Sequence, residues 1–200
     1  MRSSQSPPLS SGLRALLFAN FCNTFAYVGL ITFVGDQVFG ITGRELDLGL
    51  LAVALFLPVF FLSPIGGTIA DRFDRRLVYA IPLGVQIAVA LAILVYVRSE
   101  PDRVWPFFVL VGIYGAARAF AAPASRSLPI DLAPPEMLDR VIALKAMAFQ
   151  SGVIVGPVVA GFAAVAADEL PYLISAVVLG LALFLLRFVP RADIDLSLIH

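Results

Sequence analysis

The stretch SPIGGTIADRFDRR, Ser63 to Arg76, decides how the rest of the chain is read. A long apolar run ends here in small residues and then breaks into five charges within six positions: Asp71, Arg72, Asp74, Arg75 and Arg76. Gly66, Gly67 and Ala70 have almost no side chain, so a neighbouring backbone can approach this helix end closely. The charges place a tight turn at a membrane surface. That turn reads either as a positively charged loop that only fixes topology, as any multispan protein needs, or as a turn with a function of its own.

Outward from this turn the chain is apolar in both directions. Of 200 residues, 60% are hydrophobic and only 14% charged, and the mean hydropathy is +0.94, which is the composition of an integral membrane protein and not of a soluble domain. A helix needs about 20 apolar residues to cross the hydrocarbon core. Uncharged windows of that size fall at 15–35, 48–70, 77–97 and 146–167; the window 104–124 contains only Arg118, and 170–186 ends at Arg187, which can snorkel to the headgroups. The expected organisation is all-α: a disordered cytoplasmic tail over 1–12, then a six-helix transmembrane bundle over 13–190. Its spans are about 13–38, 47–70, 77–97, 104–124, 138–167 and 170–189. The first apolar run is a full membrane width, so it is read as retained and not as a cleaved signal peptide.

Loop charges set the orientation. With the N-terminus inside, the inner segments hold Arg2, Arg14, Arg72, Arg75, Arg76, Arg126, Arg140, Lys145, Arg187 and Arg191, against Arg44, Arg98 and Arg103 outside. This bias predicts both termini on the cytoplasmic side. Short connections predict that consecutive helices are antiparallel neighbours. The longer polar stretch from Ser125 to Arg140 has prolines at 129, 134 and 135 and predicts a cytoplasmic loop with a short interfacial helix starting near Pro135.

The net charge is zero, so nothing points to a nucleic-acid partner; the lipid bilayer is the expected surrounding. Cys22 is the one cysteine and His200 the one histidine, which excludes an internal disulfide and gives no metal-ligand cluster. No span pairs a nucleophile with a His, Asp or Glu, and no glycine-rich loop follows a strand, so neither catalytic residues nor a cofactor are assigned.

Arg118 is the one charge well inside a span, about 14 residues along a helix entering from outside, or roughly 20 Å deep. An intramembrane cation marks a candidate functional site; the alternative is that it snorkels to the inner surface or pairs with Asp131. In the fifth span Gly152 and Gly156 form a small-xxx-small pair, followed by Pro157 and Gly161, a segment suited to close packing and bending. The apolar windows counted above contain no carboxylate. Asp36, just past the first window, is the nearest candidate for proton uptake and reads more readily as an exposed surface carboxylate. Asn20, Asn23, Thr24 and Gln86 can contact a substrate or bond one another.

The stretch Gly67 to Arg76, GTIADRFDRR, resembles the major facilitator superfamily pattern Gly-x-x-x-Asp-Arg-x-Gly-Arg-Arg between the second and third helices, matching five of its six fixed positions. It departs at Asp74, where the family has glycine, so the turn is expected to place an aspartate in left-handed geometry. GPVVAG, from Gly156, resembles the family's antiporter pattern Gly-Pro-x-x-Gly-Gly, with Ala160 replacing a glycine. ARAFAAPASRSLPIDL is similar to the fourth helix and following loop of the bacterial exporter branch that contains siderophore and drug exporters.

The resemblance implies a bacterial inner-membrane protein with one half of a twelve-helix fold, built as two inverted three-helix repeats. It also implies a cytoplasmic gate, with Asp71 bracing a helix of the other half and Arg72, Arg75 and Arg76 forming charge pairs. Within this half, Arg75 or Arg76 is expected to pair with Asp131 or Glu136. The function so implied is a secondary transporter, a proton-coupled exporter of small amphipathic molecules whose C-terminal half is missing from this chain. The final residues, LSLIH, look like a translated library end, so 191–200 is expected to be a truncated, partly non-native tail. The alternatives are a membrane-embedded interaction or assembly subunit, and a natural half-transporter that dimerises.

Overall fold

The computed structural model describes residues 9–190; the expectations for most of the N-terminal tail, for Arg2 and for the residues from Arg191 onward lie outside the described residues. The described chain forms α1 (Ser11–Thr42), α2 (Glu45–Arg72), α3 (Arg75–Val97), α4 (Trp105–Asp131), α5 (Leu138–Ala164) and α6 (Leu170–Leu185). Each helix, with the short 3₁₀ turns joined to α5 and α6, is long and apolar enough to cross a membrane.

Local chemistry sets the helix ends. Ser10 caps α1, its Oγ accepting from the Leu13 N–H at 3.2 Å, so the helix starts within the stretch expected as tail. It stops at Gly43, whose φ of +61° is the left-handed cap that glycine adopts without strain. Asp74 corrects an expectation. Its φ is −53°, not left-handed. Its Oδ1 accepts from the Arg76 N–H at 2.9 Å, so the aspartate starts α3 as an N-cap.

The loop expected over 125–140 is also corrected. α4 runs through Pro123 and Pro129 to Asp131, a 3₁₀ turn occupies Pro135–Met137, and only residues 132–134 connect them. Proline removes one backbone donor and frees one carbonyl, a loss that a packed membrane helix can absorb. α5 likewise continues through Pro157.

Consecutive helices are mostly not the main neighbours, contrary to expectation. α2 packs chiefly on α4, and α1 on α5; α3 lies against α4 and α6, and α1 against α6, whereas α1–α2 and α2–α3 touch little. Glycine explains the choice. A Cβ at position 115 would lie 2.3 Å from the Leu55 carbonyl oxygen, and one at 66 would lie 2.6 Å from that of Ala119. On the other crossing, a Cβ at 156 would lie 2.5 Å from the Phe25 oxygen. Backbones this close leave no room for any side chain.

Exchanging α1, α2, α3 for α4, α5, α6 turns the α2–α4 contact into α5–α1 and the α3–α4 contact into α6–α1, while α3–α6 maps on itself. Because three spans separate each pair, the two repeats run in opposite directions, as inverted repeats do. The core lies among α1, α3, α4 and α6. α2 and α5 bury little, and large side chains such as Phe56, Phe60, Phe61, Met147 and Phe162 are exposed on them.

Candidate functional site

On one surface the charged turn is tied to two other helix ends. Arg75 pairs with Asp131 at the end of α4, the partner expected from sequence, and approaches Asp71 at 3.8 Å. Arg76 Nη1 donates to the Val189 carbonyl at 3.2 Å, just beyond α6. Asp71 and Arg72 are exposed. Gly66, not Gly67, makes the close helix contact; a Cβ at 67 would meet nothing within 4 Å among the described residues. On the opposite surface Arg98 reaches Glu169 at 3.6 Å, joining the other loops.

A cavity of about 450 Å³ opens between three helices. α1 contributes Asn20, Asn23 and Thr24, α4 contributes Arg118, Ser125 and Arg126, and α5 contributes Ile142, Lys145 and Phe149. The spacing of each set is that of one helix face, i, i+3, i+4 or i+7 and i+8. Arg118 stands midway along α4, thirteen residues from either end, roughly 20 Å from each at 1.5 Å per residue.

Arg118 pairs with no carboxylate among the described residues. Its guanidinium carbon lies 3.5 Å from the centroid of the Tyr27 ring, a cation–π contact that holds the charge where counter-ions are scarce. The expected alternative of a pair with Asp131 is closed, since that carboxylate meets Arg75. Tyr27 in turn stacks near Tyr114, with ring centroids 6.2 Å apart. Lys145 Nζ donates to the Arg126 carbonyl at 3.1 Å.

The asparagines are organised by a buried tyrosine. Tyr79 O–H donates to Asn20 Oδ1 at 3.0 Å and accepts from Asn23 Nδ2 at 3.3 Å. Asn20 Nδ2 and Asn23 Oδ1 have no partner among the described residues. Asn20, Asn23 and Arg118 thus meet at one site. Asp36 and Gln86 do not join them: Asp36 is exposed, thirteen residues beyond Asn23 on α1, and Gln86 is fully buried outside the cavity. Gly152 and Gly156 lie in the α1–α5 contact, whereas a Cβ at Gly161 would make only an ordinary contact. Tyr27, Tyr79, Arg126 and Lys145 were not among the site residues expected from sequence. The α1 spacing of Asn20, Asn23 and Tyr27 carried the signal for Tyr27.

Two inverted three-helix repeats with a charged cavity reaching the middle of the bundle define the class: the six-helix half of a twelve-helix transporter fold. The Major Facilitator Superfamily pattern matches residues 16–197, and the chain belongs to that family. It is 27% identical over 185 residues to the uncharacterised MFS-type transporter YfiS of Bacillus subtilis, a match covering 90% of this chain and 42% of YfiS. It is 26% identical over 179 residues to the quinolone resistance protein NorA of Staphylococcus aureus, covering 87% of this chain and 44% of NorA. The chain therefore spans less than half the length of these relatives. A crystal structure of an auto-inhibited POT family peptide transporter superposes with a TM-score of 0.72 at 16% identity, covering 89% of this chain and 37% of that one. That likeness concerns the fold.

Proposed function

We propose that this chain is the N-terminal half of a secondary transporter and that the cavity between α1, α4 and α5 is its part of the substrate path. The observation that carries this is Arg118, a cation at mid-membrane depth beside Asn20 and Asn23 in a cavity of about 450 Å³. A charge at that depth is costly, and residues kept at such a cost mark substrate or ion pathways. The relation to a quinolone resistance protein supports export of small amphipathic molecules. In this reading protons are the coupling ion, and the protein resides in a bacterial inner membrane with both termini cytoplasmic.

The charged turn is then the inner gate. Arg75 anchors it to α4 and Arg76 to the end of α6, while exposed Asp71 and Arg72, with open space around Gly67, receive a helix of the second half. The uncovered faces of α2 and α5 are where that half would dock. The dominance of basic residues on the surface of the charged turn supports its cytoplasmic placement.

The test uses the reading frame that contains this chain, expressed in cells whose membranes are converted to inverted vesicles. Imposing a proton gradient should drive accumulation of an amphipathic dye, and Asp71→Asn should abolish it while the protein still reaches the membrane. Unchanged accumulation in that variant would remove Asp71 from the gate; gradient-independent accumulation would remove proton coupling.

A further inference from the structure

Among the described residues the cavity is lined by three cations, Arg118, Arg126 and Lys145, and by no aspartate or glutamate. We infer that the molecule this cavity accepts is an anion, an amphipath whose carboxylate, sulfonate or phosphate group sits between Arg118, Lys145 and Arg126. This rests on the reading of the cavity as substrate path and names the class of substrate.

The donors available exceed the acceptors. Lys145 has three N–H donors and gives one to the Arg126 carbonyl. Arg118 presents its face to Tyr27, and a guanidinium held by its face keeps its N–H edge for a planar anion. Asn20 is 8% exposed, lines the cavity, and its Nδ2 donor has no partner among the described residues. Asn23 Oδ1 is the one unpartnered amide acceptor beside it.

Asp131, five residues beyond Arg126 at the end of α4, is taken by Arg75, and neither Glu136 nor Asp139 lines the cavity. Lys145 and Arg126 lie side by side and Arg118 lines the same cavity; like charges gathered in one cavity favour a bound anion, the more so where charge interactions are strong. Phe149, Ile142 and the small residues Ala121, Ala122 and Ala146 supply an apolar wall, which suits the rest of an amphipathic molecule. An anionic lipid headgroup has the same chemistry as the anionic group of a soluble substrate, so the test must separate the two sources.

The transporter encoded by the reading frame that contains this chain is placed in nanodiscs of phosphatidylcholine and titrated with dansylglycine and with its uncharged primary amide, empty discs being subtracted. The expected result is that the anion binds about tenfold more tightly than the amide, the scale of one charge-assisted hydrogen bond. Lys145→Gln and Arg118→Gln should each remove most of that preference and leave amide binding within about twofold, whereas Lys145→Arg should keep it. Equal affinity for the two probes would overturn the charge assignment and leave the substrate path standing. Saturable binding of neither probe would overturn both. In discs containing phosphatidylglycerol, loss of the anion preference, together with phosphatidylglycerol retained in native mass spectra only while Lys145 is present, would assign the cations to lipid and overturn the inference.

Discussion

The α2–α4 and α1–α5 crossings occupy equivalent places in the two repeats and are built alike, with glycine against backbone at the closest approach, yet only one of them borders a polar cavity. Gly66 and Gly115 close the first. On α2 the nearby Ser63 and Thr68 hydroxyls both donate to the helix's own backbone, to Val59 O and Pro64 O, leaving little polar surface to offer. Gly152 and Gly156 close the second, and just inward of them α1 and α5 part around Asn20, Asn23 and Lys145. The repeat therefore sets the architecture, and a few polar residues on one side of it set where a molecule can enter.

The largest effects should come from filling the crossings themselves. Gly115→Leu and Gly156→Leu should each destabilise the bundle by about 3 kcal/mol or more, because the obstacle is backbone and cannot move aside. Thermal unfolding in detergent, with Gly40→Leu as the control in open space, measures this. A bundle that tolerates one substitution and not the other would break the equivalence of the two crossings.

Next comes the polar side. Arg118→Gln should lower dye export by the transporter roughly tenfold, the scale of losing one charge-assisted hydrogen bond, while the melting temperature barely moves; Gln86→Leu, fully buried but outside the cavity, should leave export unchanged. Equal losses from both would mean that the cavity is no more functional than the core.

A smaller contrast separates the two adjacent glycines of the charged turn. Gly66→Ala should cost about 1 to 2 kcal/mol, because a Cβ would meet the Ala119 backbone, and Gly67→Ala less than about 0.5 kcal/mol. Smallest is the anchoring pair. Both side chains are 30% exposed, so a double-mutant cycle of Arg75→Ala and Asp131→Ala should give a coupling of about 0.5 to 1 kcal/mol.

The fold was largely legible in the sequence because membrane spans follow from composition and length, and because the charged turn carries a specific pattern. The inverted repeat followed from the resemblance, and the packing of α2 on α4 and α1 on α5 expresses it. The partners of individual helices were less legible. Short loops suggested consecutive neighbours, but glycine positions such as 66, 115 and 156 decide which backbones can touch, and a lone glycine reads the same whether it faces a helix or lipid. The long α4 was hidden by its prolines, which break helices in water more readily than in a packed bundle.

At the site, Asn20, Asn23 and Arg118 were legible as polar residues in apolar runs. Lys145 and Arg126 were read as surface charges that orient the chain, since depth along a helix is legible only once its ends are known. Asp74 was misjudged because the turn was matched to a glycine; the aspartate instead accepts from the free Arg76 N–H in the first turn of α3 with its carboxylate.

If the space between α1, α4 and α5 is the substrate path proposed above, it holds water and is not a lipid-facing groove. The most direct test is thiol labelling, in a Cys22→Ala background, of single cysteines at Asn23, Ala122 and Ala146 in the cavity and at Leu91 on the outer face of α3. The account predicts that a membrane-impermeant maleimide, applied to inverted vesicles, labels the three cavity positions and spares position 91. Labelling of none of the three, or of position 91 as readily as the others, would contradict it.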